Sequence, residues 1–211
     1  MKKFLMASAA IFTLATAAHA ADVAPVVMEQ KDWFVHVGGA GVFFNSGLTS
    51  TNVPAILNTT VSDNITVTTE FGRYITNNIS LSLSAGLPPT NDLFVTTGAG
   101  TARTGSATYG SAILGGQYHF NRAGTVKPYL GGGVAYNIIF GTTSTNATPV
   151  NIDNGFGAVL QAGVELDVSS NVGVFMDVKK MFYTAHVTKG AIDEQVRLDP
   201  WIVSAGLAFR F

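Results

Sequence analysis

The chain has 211 residues, 47 % of them apolar and only 12 % charged, with a formal net charge of −1, no cysteine and a mean hydropathy of +0.31. The charged share is about half the quarter usual in soluble domains, so something other than water is expected to cover much of the surface. Near-neutral charge excludes a basic nucleic-acid binder, and the lack of cysteine excludes disulfide frameworks, thiolate catalysis and cysteine metal sites.

The chain opens with Lys2 and Lys3, an apolar run from Phe4 to Ala18, and the triplet Ala18-His19-Ala20. A basic start, a short apolar stretch and a small-x-small site predict a secretory signal peptide, residues 1–20, cut after Ala20. Its loss leaves 12 − 2 = 10 basic residues against 13 acidic ones, a net charge of −3. Residues 21–31 read as a loose leader, and 21–211 as one domain without linker or internal repeat. No later apolar run approaches the ~20 residues of a spanning helix.

Eight alternating segments follow in order: 32–44, 64–75, 79–87, 106–120, 127–140, 155–168, 172–187 and 195–211. Each reaches the roughly 9–11 residues of a tilted membrane strand, the third only just. Three connections are short and built from turn formers: Thr76-Asn77-Asn78, the NRAGTV stretch 121–126, and Ser169-Ser170-Asn171. The other four, 45–63, 88–105, 141–154 and 188–194, are long. Long and short alternate strictly. That order predicts an all-β, eight-stranded antiparallel up-and-down transmembrane β-barrel, with short turns and both termini in the periplasm and long loops outside.

Successive strand side chains point to opposite faces. One face carries Trp33, Val35, Val37, Leu81, Leu83, Leu130, Val134, Leu160, Val174 and Met176; its opposite carries His36, Gly38, Glu70, Ser82, Gly131, Gln161, Gly163, Glu165 and Asp177. The bulky set is too large for an eight-stranded bore, so the apolar face is expected to look outward into lipid. Arg73 and Lys180 fall on that outward face, which places them near the membrane interfaces, or makes Arg73 the mark of a bulge.

Ordered by height from the turn end, the inward residues divide. His36, Gln117, His119, Glu165, Asp177, Lys179 and Arg210 form an expected polar floor, in which Glu165 and Asp177 pair with Lys179 and Arg210 because an unpaired buried charge is disfavoured. Val42, Phe44, Ile113, Ile139, Val159 and Ile202 form an expected apolar chamber above it, with glycines 38, 115, 131, 133 and 163 leaving room. Ile56 and Leu57 in the first long loop, and Val150 and Ile152 in the third, are apolar islands that either line an entrance or pack loops together.

Four stretches, DWFVHVGGAG (32–41), KPYLGGGVAYNIIF (127–140), QAGVELDVSSNVGVFMDVKK (161–180) and LDPWIVSAGLAFRF (198–211), resemble the OmpW family of small outer-membrane barrels. The resemblance implies a Gram-negative outer-membrane location and a narrow, largely hydrophobic lumen for passive uptake of small hydrophobic molecules, with lateral release into the membrane. It also implies a final aromatic strand read by the barrel-assembly machinery, and surroundings of outer-membrane lipid and lipopolysaccharide. Some members serve as bacteriocin or phage receptors, which keeps a receptor or structural barrel without transport as the alternative. The outer loops depart from the family in being rich in Thr and Asn. No cofactor or nucleic-acid partner is expected. His36, His119 and His186 sit in no nucleophile–base or metal motif, so an enzyme is not expected either.

Overall fold

The computed structural model describes residues 31–145 and 148–211; the expected signal peptide lies outside them. Eight long strands make the barrel. Numbered in chain order among fourteen, they are β1 (Trp33–Phe43), β4 (Asn64–Tyr74), β5 (Ile79–Gly86), β7 (Gly100–His119), β8 (Val126–Ser144), β10 (Gly155–Asp167), β11 (Val172–Phe182) and β14 (Trp201–Arg210). Each pairs antiparallel with its neighbours in sequence, and β1 pairs β14, which closes the ring. The closure is tied at its end by Trp33 and Phe211, each donating its N–H to the other's carbonyl at 3.1 Å. Closure removes the sheet edge, so every barrel strand has ladder partners on both sides, as a lipid-embedded backbone requires.

The outward face is apolar along the whole wall. Val37, Leu81, Leu83, Leu130, Val134, Leu160 and Met176 are all exposed, whereas Glu70, Glu165, Asp177 and Ser82 are buried in the bore. Arg73 stays in unbroken register opposite Trp33, which removes the bulge alternative, and its guanidinium lies 4.9 Å from the Trp33 ring at the turn rim. Lys180, also outward, donates to the Asp199 carbonyl and lies 5.0 Å from the Trp201 ring.

The long connections are not irregular loops. Six further strands occupy them: β2 (Gly47–Thr51), β3 (Ile56–Val61), β6 (Thr90–Thr97), β9 (Val150–Ile152), β12 (Thr184–Lys189) and β13 (Ile192–Arg197). β3 and β6 extend the barrel sheet upward from β7, while β2, β13, β12 and β9 form a separate four-stranded sheet. Two expected segments therefore break in the middle. The 172–187 stretch interrupts at Tyr183, and 195–211 interrupts at Leu198–Pro200. Asp199 adopts a positive φ of 35° and Pro200 has no N–H, so the ladder cannot run through them. Instead the Tyr183 N–H donates to the Asp199 side chain at 3.0 Å, and the Met181 N–H donates to the Pro200 carbonyl at 3.0 Å.

Candidate functional site

The turn end of the bore is filled. Lys179 Nζ lies 2.6 Å from Asp177 and 3.2 Å from Glu70. Arg210 pairs with both Glu165 and Asp167, Lys127 meets Asp167 at 2.8 Å, and His36 Nε2 lies 3.2 Å from Glu165. Gln161 knits the layer by donating to Asp177 at 2.8 Å and accepting from Gln117 at 3.2 Å. All seven expected floor residues sit here together. Glu70, Asp167, Lys127 and Gln161 complete the network. Strand parity already places Glu70 and Gln161 on the inward face, and the same parity adds Lys127 and Asp167, each two residues from an inward neighbour.

Aromatic rings share this layer. Phe34, Phe175, Tyr129 and Tyr74 are buried among the ions, with His36 stacked 4.5 Å from Phe175 and 6.4 Å from Tyr129. At Gly163 they correct the expectation that a glycine leaves room in the bore, and Gly72 behaves in the same way. A Cβ on Gly163 would sit 2.5 Å from the Tyr129 ring, and one on Gly72 only 2.1 Å from Phe34. The space that glycine vacates is taken by a ring from the adjacent strand. Below, Arg122 of the 121–126 turn packs 3.8 Å from the Tyr74 ring and donates to the Lys31 carbonyl at 2.7 Å.

His119 lies between Tyr74, 3.1 Å away, and Ser80, 3.3 Å away. In an open cleft that trio would invite nucleophilic chemistry. Here Ser80 and His119 are wholly buried, so no substrate reaches them.

Above the floor lies an apolar layer. Ile113 and Val159 pack with Ala135, Met181 and Tyr183, and Phe44 and Ile202 lean on the same cluster; Val42 is buried nearby in register with Ile202. The open space begins higher than the sequence suggested. A partly open cavity of about 200 Å³ is bounded by Phe44 and Ile139 from the expected chamber, with Tyr109, Leu93, Ala185 and Val187 among its other apolar lining. Val42, Ile113, Val159 and Ile202 do not line it. They are its packed base, because short and medium side chains from eight converging strands suffice to fill the bore at that height.

Of the four candidate entrance residues, Ile56, Val150 and Ile152 line the cavity. Leu57 does not; it is 62 % exposed on the other side of β3, as alternation from Ile56 dictates. Most of the remaining wall comes from β6, inside the connection 88–105, and from β12 and β13, which straddle the connection 188–194 and the ends of the two expected segments beside it. Three buried polar residues, Asn91, Thr59 and Glu194, interrupt the apolar lining, and Glu194 accepts a 2.8 Å hydrogen bond from Thr59.

Outside the membrane-spanning strands, His186 of β12 is held between Asp153 and Asp193, each 2.9 Å away. Those two hydrogen bonds, Asp153 first, raise its pKa above the ordinary 6.5.

A family model for the OmpW family matches residues 29–211. The chain belongs to the OmpW family. An uncharacterized outer-membrane protein, y4mB, of Sinorhizobium fredii is 31 % identical over 85 % of this chain and 80 % of its own length. The dibenzothiophene metabolism operon protein PahQ of Pseudomonas aeruginosa is 27 % identical over 89 % and 92 %. Among solved structures, the outer membrane protein OprG of Pseudomonas aeruginosa superposes with a TM-score of 0.80 at 16 % identity, covering 87 % of this chain and 97 % of that one. This OmpW-family barrel is thus an outer-membrane protein of the Gram-negative type, with its exposed apolar belt in lipid.

Proposed function

We propose that the protein is a passive conduit for small hydrophobic molecules, which enter the cavity from outside the cell and leave sideways into the outer membrane. In this reading residues 1–20 are removed on export, both termini and the short turns face the periplasm, and the strand ending at Phe211 is read by the barrel-assembly machinery. The observation that carries the reading is the stacking of an apolar cavity on a filled, ion-paired floor.

A guest that buries roughly 250 Å² of apolar surface gains about 6 kcal/mol at 25 cal/mol per Å², before the cost of immobilising it. The cavity is somewhat larger than the ~150 Å³ that suffices for benzene in an apolar protein site, so one- and two-ring molecules suit its 200 Å³. Onward passage through the floor would break five contacts between carboxylates and Lys or Arg. The wall is the easier exit. The name of PahQ as a dibenzothiophene metabolism operon protein fits an aromatic cargo of this kind.

Uptake of naphthalene by vesicles with and without the inserted protein tests the reading. Faster uptake with protein, slowed severalfold when Ala185 is enlarged to Phe, is the expected result; equal rates with and without protein would overturn it.

A further inference from the structure

The buried polar groups on the cavity wall, Asn91, Thr59 and Glu194, share one property. Asn91 is 1 % exposed, and its Nδ2 donates to the Ser62 carbonyl at 2.7 Å. That bond fixes the amide, because exchanging its nitrogen and oxygen would set two acceptors against each other. Asn91 Oδ1 is then a buried acceptor with no hydrogen-bond partner. Thr59 spends its only hydroxyl hydrogen on Glu194 Oε2 at 2.8 Å, and both side chains are buried on the same cavity. Asn91 Nδ2 keeps one further N–H; everything else that Asn91, Thr59 and Glu194 have left to offer is acceptor capacity. The other unpartnered buried atoms, in His36, Asp177 and Ser204, belong to the bore beneath, which the packed apolar layer separates from the cavity.

We propose that the preferred guest is an apolar molecule bearing a single hydrogen-bond donor, such as a phenol, an alcohol or an arylamine, and not a bare hydrocarbon. The inference rests on the conduit reading and narrows it to a substrate class. A hydrocarbon gives Asn91 Oδ1 nothing and leaves that buried acceptor unsatisfied. A donor-bearing guest buries the same apolar area and meets the acceptor. A carboxylate guest would be repelled by Glu194. Lys189, the cation on the lining, is only half-buried, near Gly190 at the β12–β13 hairpin tip, where water solvates it.

The test is equilibrium binding of naphthalene, 1-naphthol and 1-naphthoate to the full chain in detergent micelles, each corrected for its partition into protein-free micelles. The wild-type protein is expected to bind 1-naphthol about 5- to 10-fold more tightly than naphthalene, the worth of one buried hydrogen bond. In Asn91→Leu the ratio of the two affinities should fall toward one, and in Thr59→Val it should fall in part, with gel mobility of unheated samples reporting that both variants fold. Equal corrected affinities in the wild-type protein would overturn the inference while leaving the conduit intact. Preference for 1-naphthoate would overturn it too, by moving the polar contact to Lys189. Binding of none of the three would remove the conduit reading and this inference with it.

Discussion

Replacing Lys179 by Met keeps the length of the side chain and deletes the charge. Two carboxylates, Glu70 and Asp177, lose their cation, and both are at most 3 % exposed. Each keeps amide donors, since Gln161 donates to Asp177 at 2.8 Å and to Glu70 at 3.3 Å. Removing one partner of a buried ion pair costs about 3–5 kcal/mol, and the surviving amide contacts argue for the lower half of that range. Against a total stability of roughly 5–15 kcal/mol that is a large fraction. The double variant Lys179→Met/Asp177→Asn leaves one uncompensated carboxylate instead of two, and is expected to recover about 1–3 kcal/mol of the loss through coupling between neighbours. Urea unfolding of the folded barrel in micelles, followed by fluorescence of Trp33 and Trp201 on the outer wall, measures both. If the single variant unfolds within about 1 kcal/mol of the wild-type protein, the floor is hydrated and not a desolvated charge network, and the argument that blocks the lower exit goes with it.

Three further outcomes are expected. His186 should titrate with a midpoint above 6.5 by NMR, and its contribution to holding the loop sheet, present below 6.5, should fade as pH rises through that higher midpoint; a midpoint at or below 6.5 contradicts the two-carboxylate clasp. Gly72→Ala places a Cβ 2.1 Å from the buried Phe34 ring, so a loss of about 1–3 kcal/mol in urea unfolding is expected, and no loss would show that the ring has room to move. Ala185→Phe puts a ring into the 200 Å³ cavity and should slow naphthalene uptake severalfold; unchanged uptake would place the route elsewhere.

The barrel was legible because period-two alternation over long stretches of Val, Leu, Ile and aromatics is a strong signal, and the short turns were rich in Asn, Ser and Gly. The floor was legible for the same reason: parity put His36, Glu165, Asp177 and Arg210 on one face. The cavity was not. Its walls come from 88–105, which read as a loop, and from 184–197, where the expected strands 172–187 and 195–211 continue past the breaks at Tyr183 and Leu198–Pro200 into a separate loop sheet. Nor does alternation say which inward residues meet across the bore. Phe34 and Tyr129 fill the hollows over Gly72 and Gly163 because of strand register, and register is a property of pairs of segments.

The wall beside the cavity has a defect that the rest of the barrel lacks a reason for. The ladder between β5 and β7 ends at Ala85 and Ala112, and β7 next pairs with β6 at Thr90 and Thr108. Pro88 and Pro89 lie in between, where neither has an N–H to give. There the Tyr109 N–H donates to the Pro89 carbonyl at 3.3 Å, toward the long end of the range. On its other edge β7 slips register against β8 at Thr108 and Tyr109, the same height. Tyr109 itself lines the cavity, so the thinnest pairing in the wall borders the apolar space. If guests leave there, Pro88→Thr with Pro89→Val should add ladder donors, tighten the seam and slow transfer of naphthalene into the bilayer while its binding in micelles persists. Transfer as fast as in the wild-type protein would show that the seam is a folding accommodation between two sheets and that release takes another path.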